Sequence, residues 1–314
     1  MSHHPKEYNE NLYYGLLIKG QLKEAIAYLS ECGQTELFQK YFELFEYEKY
    51  IKFPVDDYLN EILLPYQIYY RDIFYLEIPA EQALNTLKRT LAKFFNIADE
   101  NLEFSEIESI YVAKAFESRS YCFLGGKTGG HFGPYIWRTT ELKSYDVELP
   151  NGKHKYAVKL LDGFVSKSWL DYVSFGALST GGWSDGDGVI NCIKTSYDFT
   201  DESFTVSLLK HEAQHASDIE LYPEMSSADM KYREKLVELI YSTNRNLLEQ
   251  FSYEADFAAD SNGHALAANR IIEEFARLTD ATLKEISIAE TQSIARKLFA
   301  RSNEEIKTKY AKNS

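Results

Sequence analysis

Cysteine is scarce in this chain of 314 residues, and its three cysteines, Cys32, Cys122 and Cys192, lie far apart in sequence. No Cys-x-x-Cys pair occurs, so the sequence indicates neither a disulfide framework nor a zinc site built from cysteine. Reduced thiols are the simplest interpretation, and they favour a cytosolic protein.

Basic residues are also in deficit, with 34 Lys and Arg against 48 Asp and Glu and a formal charge of -14. Surfaces that bind phosphate depend on Lys and Arg, so this acidity argues against nucleic acid and anionic membranes as partners. The sequence contains no run of about twenty apolar residues, and the segment Met1 to Glu7 has no apolar signal region. We therefore expect no membrane partner and a cytoplasmic location.

Two glycine-rich stretches resemble ligand-binding loops only superficially. The stretch Gly125 to Gly130 contains Gly-Lys-Thr, but a P-loop requires an earlier glycine where Tyr121 stands and a helix directly afterwards. The stretch Ser179 to Gly188 contains two aspartates but lacks the alternating acidic ligands of an EF-hand calcium loop. We predict neither a nucleotide site nor a calcium site.

Apolar and aromatic residues are plentiful by contrast: 45% of the chain is hydrophobic, including 24 Tyr and 19 Phe. This composition supports a large packed core. Helical spacing of apolar residues dominates from Glu10 to about Asn96 and again after Ser203. Short segments suited to strands lie between these regions, at Arg119–Leu124, Tyr135–Trp137, Ser144–Leu149, Lys155–Leu161, Asp171–Leu178 and Val189–Lys194.

These patterns predict an α+β protein. A helical N-terminal region covers residues 1–115, and a catalytic region covers residues 116–314. Within the catalytic region, a central mixed or antiparallel sheet covers 116–200 and a helical lobe covers 201–314.

One short stretch, His211-Glu212-Ala213-Gln214-His215, carries recognisable chemistry in the form His-Glu-x-x-His. Residues four apart share one face of a helix, so His211 and His215 are able to bind one metal ion. Zinc accepts nitrogen ligands and keeps one position for water in catalytic sites, and Glu212 beside it is able to take a proton from that water. The pattern has this meaning only on a helix.

The surrounding residues favour a helix. No Gly or Pro occurs from Ser203 to Glu220, and Thr200 and Asp201 are candidate N-caps. Asp218, three residues after His215, is a candidate for orienting a ligand histidine through its second ring nitrogen. An ordinary position at the helix end is the alternative.

A catalytic zinc ion requires a third protein ligand, and three glutamates are candidates. Glu238 lies in the apolar run Leu236–Tyr241, where a carboxylate needs a partner, so it is the favoured ligand. Glu234, one turn earlier, is the alternative ligand or a supporting group, and Glu254 is the third candidate. A salt bridge within the helix would also account for Glu238.

With this helix followed by a downstream glutamate, the chain resembles the gluzincins, the thermolysin-like zinc metallopeptidases. The resemblance covers roughly residues 172 to 270, and it is specific at His211, Glu212 and His215. It implies a mixed sheet above the active-site helix and a mostly helical lower lobe. The thermolysin-type pattern Glu-x-x-x-Asp is absent, and Glu234-x-x-x-Glu238 is the nearest match.

We therefore predict a zinc metallopeptidase that acts on a peptide or protein. One zinc ion per chain is held by His211, His215 and Glu238, and Glu212 serves as general base. His264 is a candidate donor to the oxyanion, although a capping or core histidine is an alternative. The sequence does not define an oligomeric state. Two other classes stay open, a non-catalytic zinc-binding interaction module and a helical scaffold in which the motif arises by chance.

Overall fold

The computed structural model describes residues 6–99, 101–184, 188–256 and 263–310, and the chain forms two compact units. Unit 1 comprises Met1–Thr139 and Asp162–Thr180, and unit 2 comprises Thr140–Leu161 and Gly181–Ser314. Helices predominate and several small sheets accompany them, so the predicted α+β class is confirmed. Residues 116–139, which we placed with the catalytic region, lie in unit 1 together with the segment 162–180.

Unit 1 is mainly helical, and Asn9 and Asp56 cap α1 and α4 by accepting backbone N–H bonds from Leu12 and Leu59. Its helices are α1 Glu10–Ile18, α2 Leu22–Glu31, α3 Thr35–Tyr41, α4 Asp57–Tyr70, α5 Ala80–Phe94, α6 Phe104–Ile107, α7 Ala113–Glu117 and α8 Ser168–Val173. Segments of π-helix at Phe42–Glu46, Arg71–Tyr75 and Glu108–Val112 extend α3, α4 and α6. The apolar sides of these helices share one core that is rich in tyrosine and phenylalanine.

Small strands complete unit 1. They are β1 Cys122–Leu124, β2 Lys127–Thr128, β3 His131–Phe132, β4 Tyr135–Trp137 and β7 Ser166–Lys167. Strands β1, β4 and β7 form one antiparallel sheet, and β2 pairs with β3 across the glycine-rich stretch. The strand that we expected over 171–178 is wrong, because Ser168–Val173 is helix α8. Trp169, Tyr172 and Val173 recur at helical spacing and are buried together on one face.

A buried carboxylate holds the glycine-rich stretch in unit 1. Glu108 accepts hydrogen bonds from the hydroxyl of Tyr66 and the backbone N–H of Gly126, each at 2.8 Å. A Cβ atom on Gly125 would lie 2.7 Å from the Glu108 carboxyl group, so glycine permits this close approach. Burial raises the pKa of Glu108 to about 7, although the two hydrogen bonds oppose the rise.

Unit 2 contains a mixed four-stranded sheet and the remaining helices. The strands β5 Thr139–Leu149, β6 Gly152–Asp162, β8 Gly182–Ser184 and β9 Val189–Ile193 lie in the order β5-β6-β9-β8, with β6 parallel and β8 antiparallel to β9. The helices are α9 Glu202–Thr205, α10 Leu209–Leu221, α11 Ser227–Tyr241, α12 Leu247–Asp256, α13 Gly263–Leu278 and α14 Ile288–Tyr310. Residues 185–187, which include the aspartates of the rejected calcium loop, lie outside the described ranges.

The His-Glu-x-x-His motif lies on α10, as the sequence predicted. Asp201 caps the preceding α9 through the N–H of Ser203, but the helix does not continue unbroken from there. Helix α9 ends before Val206, which is its C-cap residue, and α10 begins at Leu209. Ser226 caps α11 through the N–H of Asp229.

A buried ion pair joins α10, α11 and α14. The Nε atom of Arg233 donates to both carboxylate oxygens of Asp218, at 3.0 and 2.9 Å, and Nη1 donates to Ser302 at 2.7 Å. Gln214 also donates to Asp218 at 2.9 Å. Asp218 and Arg233 are 1% and 4% exposed, so each charge depends on the other.

Membrane insertion through a helix has no support in the described ranges, since every helix there is too short or too polar to cross a bilayer.

We predict that replacing Arg233 by Met lowers the free energy of unfolding by about 3–5 kcal/mol, because Asp218 loses its buried counter-charge. Urea denaturation measures the change. The matched control is Arg277→Met, whose ion pair with Glu273 is exposed on α13. We expect at most about 1 kcal/mol from that variant, and equal losses in the two variants would contradict the importance of the buried pair.

We also predict a pH dependence that originates at Glu108. Its pKa in the folded protein, about 7, lies above the ordinary value of 4.5, so the folded state holds this proton more strongly. Stability should therefore fall by about 3 kcal/mol as pH rises from about 4.5 to 7. Urea midpoints of the wild type and Glu108→Gln, compared across this range, measure the contribution, and parallel profiles would rule it out.

Candidate metal centre

The two helices α10 and α11 present an imidazole and carboxylate cluster to each other. Helix α10 supplies His211, Glu212 and His215, and α11 supplies Glu234 and Glu238. The other sides of both helices enter the core of unit 2 through residues such as Ala213 and Leu236. The hydroxyl of Tyr156 on β6 donates to the Ala213 carbonyl at 3.0 Å, which ties the motif helix to the sheet.

Glu234 contacts both histidines of the motif. Its Oε2 atom lies 2.7 Å from Nε2 of His211, and its Oε1 atom contacts Nδ1 of His215. The side chain of Glu234 has no exposed surface, and those of His211 and His215 are 10% and 17% exposed. The candidate that ranked second in the sequence therefore occupies the centre of the cluster.

Glu238 contacts only the first of these histidines. Its Oε1 atom lies 2.7 Å from Nδ1 of His211, the ring nitrogen opposite the one that faces Glu234. A histidine that binds a metal through one nitrogen commonly donates its other N–H to a carboxylate. The position of Glu238 is thus that of a group that orients His211.

The opposite charges of the cluster shift the pKa values of His211 and Glu234 in opposite directions. Burial lowers the pKa of His211, but the carboxylates of Glu234 and Glu238 outweigh it and raise the pKa to about 10. Burial raises the pKa of Glu234, yet His211, His215 and Lys231 hold it well below its usual range. A positive charge on His211 and the negative charge of Glu234 would therefore stabilise each other.

Tyr197 lies within electrostatic reach of Glu212 and Glu238. Glu212 is 9% exposed. Burial is the main cause that raises the pKa of Tyr197 above its usual range, and the negative charges of Glu212 and Glu238 are among the causes that raise it further. A Cβ atom on Gly181 would overlap the Tyr197 hydroxyl, so glycine is required for this tyrosine to occupy its position.

His264, the candidate oxyanion donor, lies near His211. The two rings are nearly parallel at 9°, with centroids 6.4 Å apart, and 46% of the His264 side chain is exposed. Glu254, the third candidate ligand, has Oε1 at 3.6 Å from Nδ1 of His264 and Oε2 at 2.6 Å from Nζ of Lys235. Its contacts thus lie with His264 and Lys235.

Asp218, a candidate for orienting a ligand histidine, has Arg233 and Gln214 as its partners. Both of its oxygens accept hydrogen bonds from Arg233, and Gln214 donates to one of them. The helical turn from His215 to Asp218 directs this carboxylate toward α11 and α14, where the guanidinium satisfies it.

The donor set fits a divalent cation in its chemistry. Within the described ranges, no group of three or more His, Cys, Asp or Glu side chains is arranged so that it could hold a metal ion as it stands. Two imidazoles and the buried Glu234 carboxylate nevertheless meet, and zinc accepts both ligand types. With neutral imidazoles, Glu212, Glu234, Glu238 and Lys231 leave two formal negative charges, which a divalent cation would neutralise.

Sequence reasoning missed two residues of this cluster. Lys231 lies three residues before Glu234, and that helical spacing was a signal for their ion pair. Tyr197 carried no comparable signal, because its proximity to Glu212 arises from the tertiary fold.

Comparison of the chain with known protein families, characterised proteins and solved structures found no match.

Proposed function

We propose that this protein is a zinc-dependent peptidase whose centre lies between α10 and α11. The observation that carries the proposal is the meeting of His211 and His215 with the fully buried Glu234. A histidine on the surface of a helix does not require a buried carboxylate as its partner. Two imidazoles and one carboxylate, in contrast, are a recognised set of zinc ligands.

His211, His215 and Glu234 are the proposed ligands, with Glu238 as the group that orients His211. This assignment replaces Glu238 by Glu234 as third ligand, because Glu234 contacts both histidines and Glu238 contacts one. Glu234 and Glu238 stand at the first and last positions of the nearest match to Glu-x-x-x-Asp, with glutamate in place of the aspartate.

Bound zinc would polarise a carbonyl group and lower the pKa of a water molecule. Glu212, next to His211 on α10, takes the proton of the attacking water and later delivers it to the leaving amine. His264 donates a hydrogen bond to the developing oxyanion, since its ring lies beside that of His211.

A peptide is the proposed substrate because strand β8 contacts α10 in unit 2. β8 lies at one end of the described strand order and β5 lies at the other. A peptide substrate close to β8 is therefore also close to the motif helix.

We predict that protein purified without chelator or nickel resin contains about one zinc ion per chain, and that His215→Ala loses it. Elemental analysis measures both. Wild-type protein that stays free of zinc after zinc is added would contradict the proposal and favour the helical scaffold.

Glu212→Gln should keep zinc but lower peptide hydrolysis by about 10²–10⁴-fold, because the amide cannot accept the proton. Cleavage of a mixed peptide library, followed by mass spectrometry, measures this. Glu220→Gln, at the exposed end of the same helix, is the control and should retain activity. Zinc retention without any cleavage by the wild type would favour a non-catalytic zinc-binding module, and full activity in Glu212→Gln would exclude the proposed base.

The two glutamates of α11 should differ in their effect on zinc affinity. Glu238→Gln should weaken binding by about 10–100-fold, as loss of an orienting carboxylate does. Glu234→Gln should weaken it further, because a direct ligand is lost. Competition with a chromophoric chelator measures both affinities, and a larger loss in Glu238→Gln would restore Glu238 as the third ligand.

A further inference from the structure

Lys231 places an ammonium group on the central carboxylate of the cluster. It lies one turn before Glu234 on α11, and its Nζ atom is 2.7 Å from Oε2 of Glu234. The same oxygen faces Nε2 of His211 at 2.7 Å. The lysine side chain is 16% exposed, so the ion pair is largely shielded from water.

The contacts around Glu234 leave little space for a metal ion between its oxygens and the histidines. Ligand bonds of about 2.0–2.1 Å in a tetrahedral site would hold ligand atoms about 3.3 Å apart. The 2.7 Å contact of Oε2 with His211 is shorter than that separation. Oε2 of Glu234 and Nε2 of His211 therefore have to move apart before a divalent ion binds between them. The same oxygen already contacts the ammonium group of Lys231.

We propose that Lys231 is an internal competitor of zinc for Glu234. The ammonium group compensates the negative charge of the buried carboxylate when zinc is not bound. Zinc therefore has to displace the ammonium group or to bind despite the repulsion between the two positive charges. Lys231 thereby lowers the zinc affinity of the site. The fraction of protein molecules that hold zinc then changes with the zinc concentration. This inference rests on the proposed function for the identity of the cation.

A second lysine of α11 provides a matched control. Lys235 follows Lys231 by one turn and is also buried, at 5% side-chain exposure. Its Nζ atom lies 2.6 Å from Glu254 and 4.1 Å from the centre of the Phe251 ring. It therefore pairs with a different carboxylate while sharing the helix, the charge and the burial of Lys231.

The test compares zinc dissociation constants of the wild type, Lys231→Met and Lys235→Met by chelator competition at one pH and ionic strength. Methionine retains an apolar stem without charge. We expect Lys231→Met to bind zinc about 10-fold more tightly or better, because an opposing charge is removed. Lys235→Met should bind zinc as the wild type does.

The thermal midpoint of the zinc-free protein is an independent readout. The zinc-free Lys231→Met variant should have a lower thermal midpoint than the zinc-free wild type, because Glu234 has lost its counter-charge. Added zinc should raise the midpoint of the variant by more than it raises that of the wild type. Lys231→Gln, which keeps a hydrogen-bond donor without the charge, should shift zinc affinity in the same direction and serves if the methionine variant does not fold.

The outcomes separate this inference from the proposed function. Equal or weaker zinc binding by both Lys231 variants overturns the inference, while the wild type remains a candidate zinc peptidase if it binds zinc. If the Lys231 variants bind zinc and the wild type does not, the result supports the inference and contradicts the proposed zinc-dependent activity of the wild type. Failure of every protein to bind zinc overturns both.

Discussion

The candidate centre is arranged around one buried carboxylate whose negative charge has to be balanced by neighbouring groups. Glu234 is fully buried between α10 and α11, and an isolated charge there would be strongly unfavourable. Two imidazoles and an ammonium group surround it. The positions of His211, His215 and Lys231 therefore follow from a single electrostatic requirement, which a metal ion would meet in another way.

A second buried charge pair gives this cluster a rigid support. Asp218 and Arg233 join the same two helices and reach α14 through Ser302, so α10 and α11 are fixed at a distance from the cluster as well as within it. Asp218 pairs with Arg233, and the carboxylates that contact His211 are those of Glu234 and Glu238. Asp218 thus stabilises the packing of α10 against α11, whereas Glu238 lies where it would orient a candidate metal ligand.

Much of the fold was accessible from local patterns. The helical spacing of the motif and the capping tendency of Asp201 are determined by residues close in sequence, and both are seen in the structure, although Asp201 caps α9 and not α10. The segment after Ser168 was misassigned because its short apolar run fits a strand or a helix equally well. The break before Leu209 was missed because no glycine or proline marks it in the sequence.

The sequence by itself determined that His211 and His215 share a helical face with Glu212 between them, because a helix places residues four apart together. It also supplied the three glutamates from which a partner had to come. Only the tertiary structure decided among them, since the packing of α11 on α10 directs Glu234 toward both histidines, Glu238 toward one and Glu254 toward Lys235. Sequence spacing along α11 allows each of these contacts, and the crossing of the two helices selects between them.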